Sequence, residues 1–336
     1  MMNRIRLPAI AVLTIYLVLT IGCGKNNSTT AETSISTTTM PSTTLATVKL
    51  TLDWKPEPEF GGFYAAEQTD IGFAKHGLSV SLQPAGAGAD TWQLVATGKT
   101  DFATTAADQV LIARRAGADV VAIFAVYQTS PQGIMVHQAR GFTSLKDVFT
   151  HDGVLMAEDN SWLHYLVKKF GAGPVKIIAY DDEIAQFLAK PTYSQQCFVT
   201  SEPIQAKRLG GDPQTFLIAD AGFNPYTTVV ICRGDLWRSN PERVRAMAAA
   251  CREGWAAYLE NPAPTNVLMN ALNKDMDLQT FASAAAAQKS LIEDDQTKAA
   301  GLGTMTGERW NMLAGQLLDL GVLDKPLKGE DCFINP

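Results

Sequence analysis

The sequence predicts an α/β fold with a largely parallel sheet. Three observations predict it: short segments of alternating polarity, helical stretches of roughly 10–15 residues between them, and glycine or polar turns at the junctions. "TVKLTLDW" sets Val48, Leu50, Leu52 and Trp54 on one face and Lys49, Thr51 and Asp53 on the other, the period of a strand. A Gly61-Gly62 break then leads into "FYAAEQTDIGFAKHG", which reads as a helix ending at Gly77. "LSVSLQPA" alternates again, and "GAGADTWQLVATGK" is a glycine-rich turn into a helix that stops at Gly98. "TDFATTA" gives a short strand and polar turn, followed by the helix "ADQVLIARRAG" and the buried strand "ADVVAIFAVY".

A second α/β unit begins near Gly133 with "GVLMAEDNSWLHYLVKKFG", "VKIIAYDDEIAQFLA" and "QCFVTSEPIQAKRLGG". "YTTVVICRGDLW" is a further strand, and the chain after Asn240 reads as helices. The first of these has Asn240 as N-cap and Pro241 at its first position, and it runs to Pro262. A helical tail after a second α/β unit implies that the chain crosses between domains twice. In parallel sheets ligands bind beyond the carboxyl ends of the strands. The segments falling there, "DWKPEPEFGG", "PAGAGADTW", "ATTAADQ" and "YQTSPQG", carry more Trp, Tyr and Gln than plain turns require.

The first 23 residues stand apart. Arg4 and Arg6 precede an apolar run from Leu7 to Ile21, shorter than the roughly 18–20 residues of a spanning helix, which reads as a secretory signal. Its ending "TIGC" resembles a bacterial lipoprotein box, with Thr20 where that box has Leu, and implies cleavage before Cys23 and a lipid on its thiol. Residues 24–47 form a tether: the stretch 25–47 holds 13 Ser or Thr and almost nothing to bury. The expected location is therefore the periplasm or the outer face of the cytoplasmic membrane, with the protein lipid-anchored.

With 34 acidic against 28 basic residues and no cluster of Lys or Arg, nucleic acid is not an expected partner. Cys197, Cys232, Cys251 and Cys332 lack CxxC spacing; one or two disulfides would suit an exported protein, without an assignable pairing. The four histidines, at 76, 137, 151 and 164, include no pair spaced for a metal helix, so no metal is expected.

"LDWKPEPEFGGFYAAE", "GLSVSLQPAGAG" and "LVATGKTDFATTAADQVLIARRAGADVVAIFAVYQ" resemble the periplasmic solute-binding proteins of bacterial ABC importers, in the nitrate, sulfonate and thiamine-pyrimidine-precursor group. The resemblance covers roughly Val48 to Val230. It implies a two-lobed fold, two mixed sheets flanked by helices with a ligand cleft between the lobes, and an ABC permease as membrane partner. Lobe 1 would comprise residues 48–130 and 230–336 and lobe 2 residues 131–229, with crossings near Gln128–Gly133 and Thr227–Val230. The implied role is capture of a small molecule by hinge closure, without catalysis or cofactor. Thiamine-precursor members have Asn and His where this chain has Glu57, Glu59 and Phe60. Extra carboxylates favour a cationic or multiply donating heterocycle or amine and oppose nitrate or sulfonate.

Trp54 and Tyr64 are read as aromatic faces for a planar ligand, or else as core residues at a strand end. Glu57 and Glu59 are read as cleft carboxylates, or as a plain charged turn in "KPEPE". Thr104 and Thr105 offer hydroxyls at the start of the helix from Ala106, which Thr105 would also cap. Gln128 lies at the expected hinge. Ser161 and Trp162 of "DNSW" are expected across the cleft from Trp54; Glu202 of "TSEP" either closes on the ligand or caps a helix; Asn224 and Tyr226 serve the cleft or the hinge.

An enzyme alternative exists within the superfamily, where a fungal relative makes the thiamine pyrimidine from pyridoxal phosphate and one of its own histidines, beside a cysteine-rich cluster. This chain has only Cys197 in "QQCFVT" and no His in the "LDW" loop. As a hydrolase pair Glu57 and Glu59 are too close in sequence to straddle a bond as glycosidase carboxylates do. A ligand-sensing receptor subunit is the third alternative.

Overall fold

The computed structural model describes residues 45–68, 71–86, 89–181 and 183–336. The expected signal peptide, Cys23 and most of the tether lie outside them. Two five-stranded mixed sheets form the frame. The first is ordered β2-β1-β3-β10-β4 and the second β7-β6-β8-β5-β9, where β1 is Ala46–Leu52, β2 Leu78–Pro84, β3 Phe102–Thr105, β4 Val120–Tyr127, β5 Gln132–His137, β6 Gly153–Met156, β7 Val175–Ile178, β8 Tyr193–Phe198, β9 Pro213–Leu217 and β10 Thr227–Arg233. Because β1 starts at Ala46, Ala46 and Thr47 belong to the strand and not to a tether: they pair in register with Leu78 and Ser79 of β2.

In each sheet the consecutive βαβ strands are parallel, as alternation with helices requires. β1 is parallel to β2 and β3, and β6 to β7 and β8. The strand that enters after each crossing runs the other way: β5 is antiparallel to β8 and β9, and β10 to β3 and β4. The return crossing comes earlier than residues 227–230, because Thr227 already pairs with Tyr127 and Val229 with Ala125 in the first sheet. β4 is an edge strand yet wholly buried. The C-terminal segments cover it: Ala122 N donates to Cys332 O at 2.9 Å, Ile334 N to Ala122 O at 2.9 Å, and Ala125 N to Gly303 O at 3.0 Å.

The glycine pair expected to break the chain sits inside the helix Gly61–Ala66 instead. A Cβ on Gly62 would lie 2.2 Å from the Trp255 ring, and one on Gly61 2.2 Å from Tyr258, so their missing side chains let this helix press against the 20-residue helix Pro241–Glu260. The helix also ends at Ala66; a separate 3-10 turn, Ala74–His76, stops at Gly77 with φ of 74°. Asn240 does cap the long helix, its Oδ1 accepting from Arg243 N at 3.2 Å.

The four cysteines Cys197, Cys232, Cys251 and Cys332 are free and buried, so no disulfide joins them. Among the described residues no helix is long and apolar enough to cross a membrane.

Candidate ligand-binding cleft

The carboxyl ends of β1, β3 and β8 converge on a cavity of about 600 Å³ between the two sheets. After β1 the loop residues Asp53, Trp54, Glu57 and Glu59 reach it. The loop is held from behind by amides on the C-terminal helices: Asn273 Nδ2 donates to Pro56 O at 3.0 Å and Gln288 Nε2 to Pro58 O at 2.9 Å. Prolines have no N–H to donate, so their carbonyls are the natural anchor points. Both glutamates are thereby set beside the cavity.

From the second sheet, Glu202 at the start of the helix Glu202–Arg208 enters opposite. Its Oε2 accepts from Phe198 N at 2.8 Å and its Oε1 from Tyr180 Oη at 3.2 Å. Ser201, not Glu202, occupies the N-cap position. The Ser201 hydroxyl crosses the cleft and donates to Glu57 Oε2 at 3.1 Å. A second carboxylate–hydroxyl contact crosses it too, from Ser161 to Asp108 on the helix Ala107–Arg115.

Five carboxyl groups at least partly buried line the cavity: Asp53, Glu57, Glu59, Asp108 and Glu202, and the exposed Asp90, Glu158 and Asp159 also border it. No lysine, arginine or histidine lines it among the described residues. Burial pushes all five up from ordinary carboxylate values. Glu202 rises to about 7. Glu59 is driven well above the usual range, first by burial and then by Glu57, Asp53 and Glu202 around it. Aromatic walls complete the cavity: Trp54, Trp92, Trp162, Tyr180, Phe198 and Phe223.

Of the expected site residues, Trp54, Glu57, Glu59, Thr105, Trp162 and Glu202 border the cavity and six others do not. Thr105 lines it without capping the helix that follows, whose N-cap is Ala106. Tyr64 is buried in the core of the first lobe, because its helix packs against the long helix. Thr104 is fully buried one layer behind, where its hydroxyl exchanges hydrogen bonds with Asp53 and accepts from Asp53 N at 2.9 Å. Ser161 supports Asp108.

Gln128, Asn224 and Tyr226 lie at the two crossings. Asn224 Oδ1 accepts from Ser130 N at 2.8 Å, tying one crossing to the other. Arg309 clamps both: Nε donates to Asn224 O at 2.9 Å, Nη2 to Asn224 Oδ1 at 3.0 Å and Nη1 to Gln128 O, with the guanidinium 4.0 Å from the Tyr226 ring centre. Thr228, just inside β10, has φ of +52°, an outlying conformation for a β-branched residue.

Asp53, Trp92 and Asp108 also border the cavity, in segments the sequence places beyond the strand ends without singling these residues out; Tyr180 and Phe223 border it with no such signal. The alternation of β1 sets Asp53 on the face with Lys49 and Thr51, and Asp108 stands in the first turn of Ala107–Arg115, where a carboxylate is ordinary. Cys197 also lines the cavity, and burial followed by Glu202 pushes its thiol well above the usual range, which keeps it protonated. No group of three or more His, Cys, Asp or Glu suited to a metal ion occurs among the described residues.

Two mixed sheets joined by two crossings, with a cleft beyond their strand ends, define a two-lobed periplasmic-binding-protein fold. The chain belongs to the NMT1/THI5-like family, whose model matches residues 57–265. Over an alignment of 357 residues it is 24% identical to the riboflavin-binding protein RibY of Chloroflexus aurantiacus, covering 99% of this chain and 98% of the relative. Its fold is similar to the periplasmic aliphatic sulphonate-binding protein SsuA of Escherichia coli, with a TM-score of 0.63, 13% identity and coverage of 86% of this chain and 92% of that one. The alkanesulfonate-binding protein SsuA of Xanthomonas axonopodis, bound to MOPS, is similar at a TM-score of 0.63 and 11% identity, over 87% of this chain and 99% of that one.

Proposed function

We propose that this protein is an exported solute-binding protein of an ABC importer, which closes its two lobes on a small planar heterocycle rich in hydrogen-bond donors and delivers it to a permease. The observation that carries this reading is the cavity itself: aromatic faces around a floor of carboxyl groups, with no basic side chain. Its volume of about 600 Å³ falls within the range of small-molecule sites. Trp54 and Trp162 supply stacking faces from the two sides, and Glu57, Glu59, Glu202 and Thr105 supply acceptors. An anionic sulfonate or nitrate would meet carboxylates without a compensating cation. A flavin, like the ligand named for the Chloroflexus relative, and an aminopyrimidine of the thiamine-precursor kind both present a flat ring and several donors.

The signal-like pattern of Arg4 and Arg6 before the apolar run Leu7 to Ile21 supports an extracytoplasmic location, and Cys23 is the proposed lipid attachment point. Binding without turnover is supported by Cys197, whose protonated thiol is no ready nucleophile.

Thermal-shift screening of the exported domain tests the reading. A ligand at 100 times its Kd adds about 2.7 kcal/mol, a rise of several degrees for a protein of this size. Riboflavin or 4-amino-5-hydroxymethyl-2-methylpyrimidine is expected to give such a rise, and an alkanesulfonate or nitrate none. The opposite pattern, or chemical turnover of a bound heterocycle, would overturn it.

A further inference from the structure

Within the cavity the carboxyl groups are not equivalent. Asp53 is served by Thr104, Glu57 by Ser201, Asp108 by Ser161, and Glu202 by Tyr180 and the Phe198 amide. Glu59 receives no hydrogen bond from any described residue, although it lines the same cavity. It stands on the 3-10 turn Pro58–Phe60, whose backbone is pinned through Pro58 O to Gln288. The titratable groups facing it are Glu57 and Asp53 from its own segment, Glu202 from the second lobe and Tyr127 from β4. None of them is a cation. The nearest lysine in sequence, Lys55, pairs with Asp275 at 3.3 Å.

Glu59 is half-buried, and once a ligand fills the cleft a carboxylate in such a place needs both charge compensation and hydrogen-bond donors. A proton on Glu59 would cancel the charge but leave its acceptor capacity unmet. One cationic group with N–H donors supplies both, and the surrounding indole and phenyl faces favour a cation as well. We infer that Glu59 is the counter-charge for a ligand carrying one positive charge, a protonated nitrogen heterocycle or organic ammonium group, and that this residue sets the ligand class the cleft accepts. The inference rests on the reading of the cavity as a capture site for small heterocycles and narrows it from donor-rich to cationic. Glu57 takes a different part: its Oε2 is already engaged by Ser201, so it holds the closed form while Glu59 meets the ligand.

The test is calorimetric titration of the wild-type exported domain and its Glu59→Gln variant with two fixed cations, thiamine and 1-methylnicotinamide, and two uncharged compounds, riboflavin and nicotinamide. A fixed cation is expected to bind the wild type, and Glu59→Gln is expected to weaken it at least about tenfold, the scale of a hydrogen bond to a charged group. Equal affinity of a cation for both proteins overturns the inference. So does binding of the uncharged compounds alone, which leaves the capture of heterocycles standing; binding of none of the four overturns the inference, and overturns that capture too when the aminopyrimidine of the thermal-shift screen also gives no rise. Should the variant fail to fold, the wild type alone decides. Protons compete with a cation for Glu59, so affinity for thiamine or 1-methylnicotinamide must fall as pH is lowered from about 8 to 5; affinity that is flat or rises overturns the inference.

Discussion

Ser201 and Glu57 meet across the cleft, the serine hydroxyl donating to Glu57 Oε2 at 3.1 Å, although 144 positions separate them in the chain. One stands after β8 in the second sheet and the other after β1 in the first. Both are buried, so the contact ties the segment after β8 directly to the segment after β1. Asn273 and Gln288, by holding the carbonyls on either side of Glu57, fix the carboxylate where Ser201 can reach it.

Replacing the serine should loosen the closed form. Hydrogen bonds to charged groups contribute about 1.5–3 kcal/mol. Ser201→Ala is therefore expected to raise the Kd of whichever heterocycle stabilises the wild type by about tenfold, measured by calorimetry. An unchanged Kd would mean that this contact adds nothing to capture.

Arg309 joins the two crossings through a planar fork that lysine cannot reproduce. Arg309→Lys should lower the melting temperature and, by freeing Gln128 and Asn224, widen the range of lobe orientations. Small-angle scattering of the unliganded domain would detect this as a larger radius of gyration, whereas an unaltered profile and melting temperature would rule out the clamp.

Glu202 gives the closed fold a pH dependence whose sign follows from its raised pKa. Burial lifts its carboxyl to about 7, so the folded protein prefers the neutral form. Its contribution to stability is complete below the ordinary glutamate value and is lost as pH rises through about 7. Glu57 and Glu59 are raised and act in the same direction. Asp277, held down to about 2 first by its hydrogen bond from Arg208, acts only in strong acid. The melting temperature of the unliganded protein should fall between about pH 5 and 8, with a smaller fall in Glu202→Gln. Identical slopes for the two proteins would remove Glu202 from this role.

Gly254 lies where the long helix meets Gly61–Ala66: a Cβ there would come 2.2 Å from Gly62 O. The obstacle is backbone, which cannot turn aside like a side chain. Gly254→Ala should cost about 1–3 kcal/mol by overpacking, read as a lower denaturant midpoint. A midpoint equal to the wild type would show that the two helices separate without penalty.

The sequence by itself determined the α/β class, the position of many strands, the capped helix from Pro241 and the placing of Trp54, Glu57 and Glu59 in the segment after the first strand. These are local properties, set by alternation, capping and turn chemistry within a few residues. The same local patterns could not separate Tyr64 from Trp54, since both are aromatic residues near a strand end; only the press of one helix on another sends Tyr64 into the core. Nor could they show that Asp53 and Asp108 turn inward, because a carboxylate on a strand or in a helix first turn is ordinarily solvated. Tertiary structure decided those positions by bringing Thr104 behind Asp53 and Ser161 across from Asp108. It also turned a charged "KPEPE" loop into two distinct carboxylates, one engaged by Ser201 and one without a hydrogen bond from any described residue, because hydrogen-bond partners far apart in sequence are fixed only when the chain has folded.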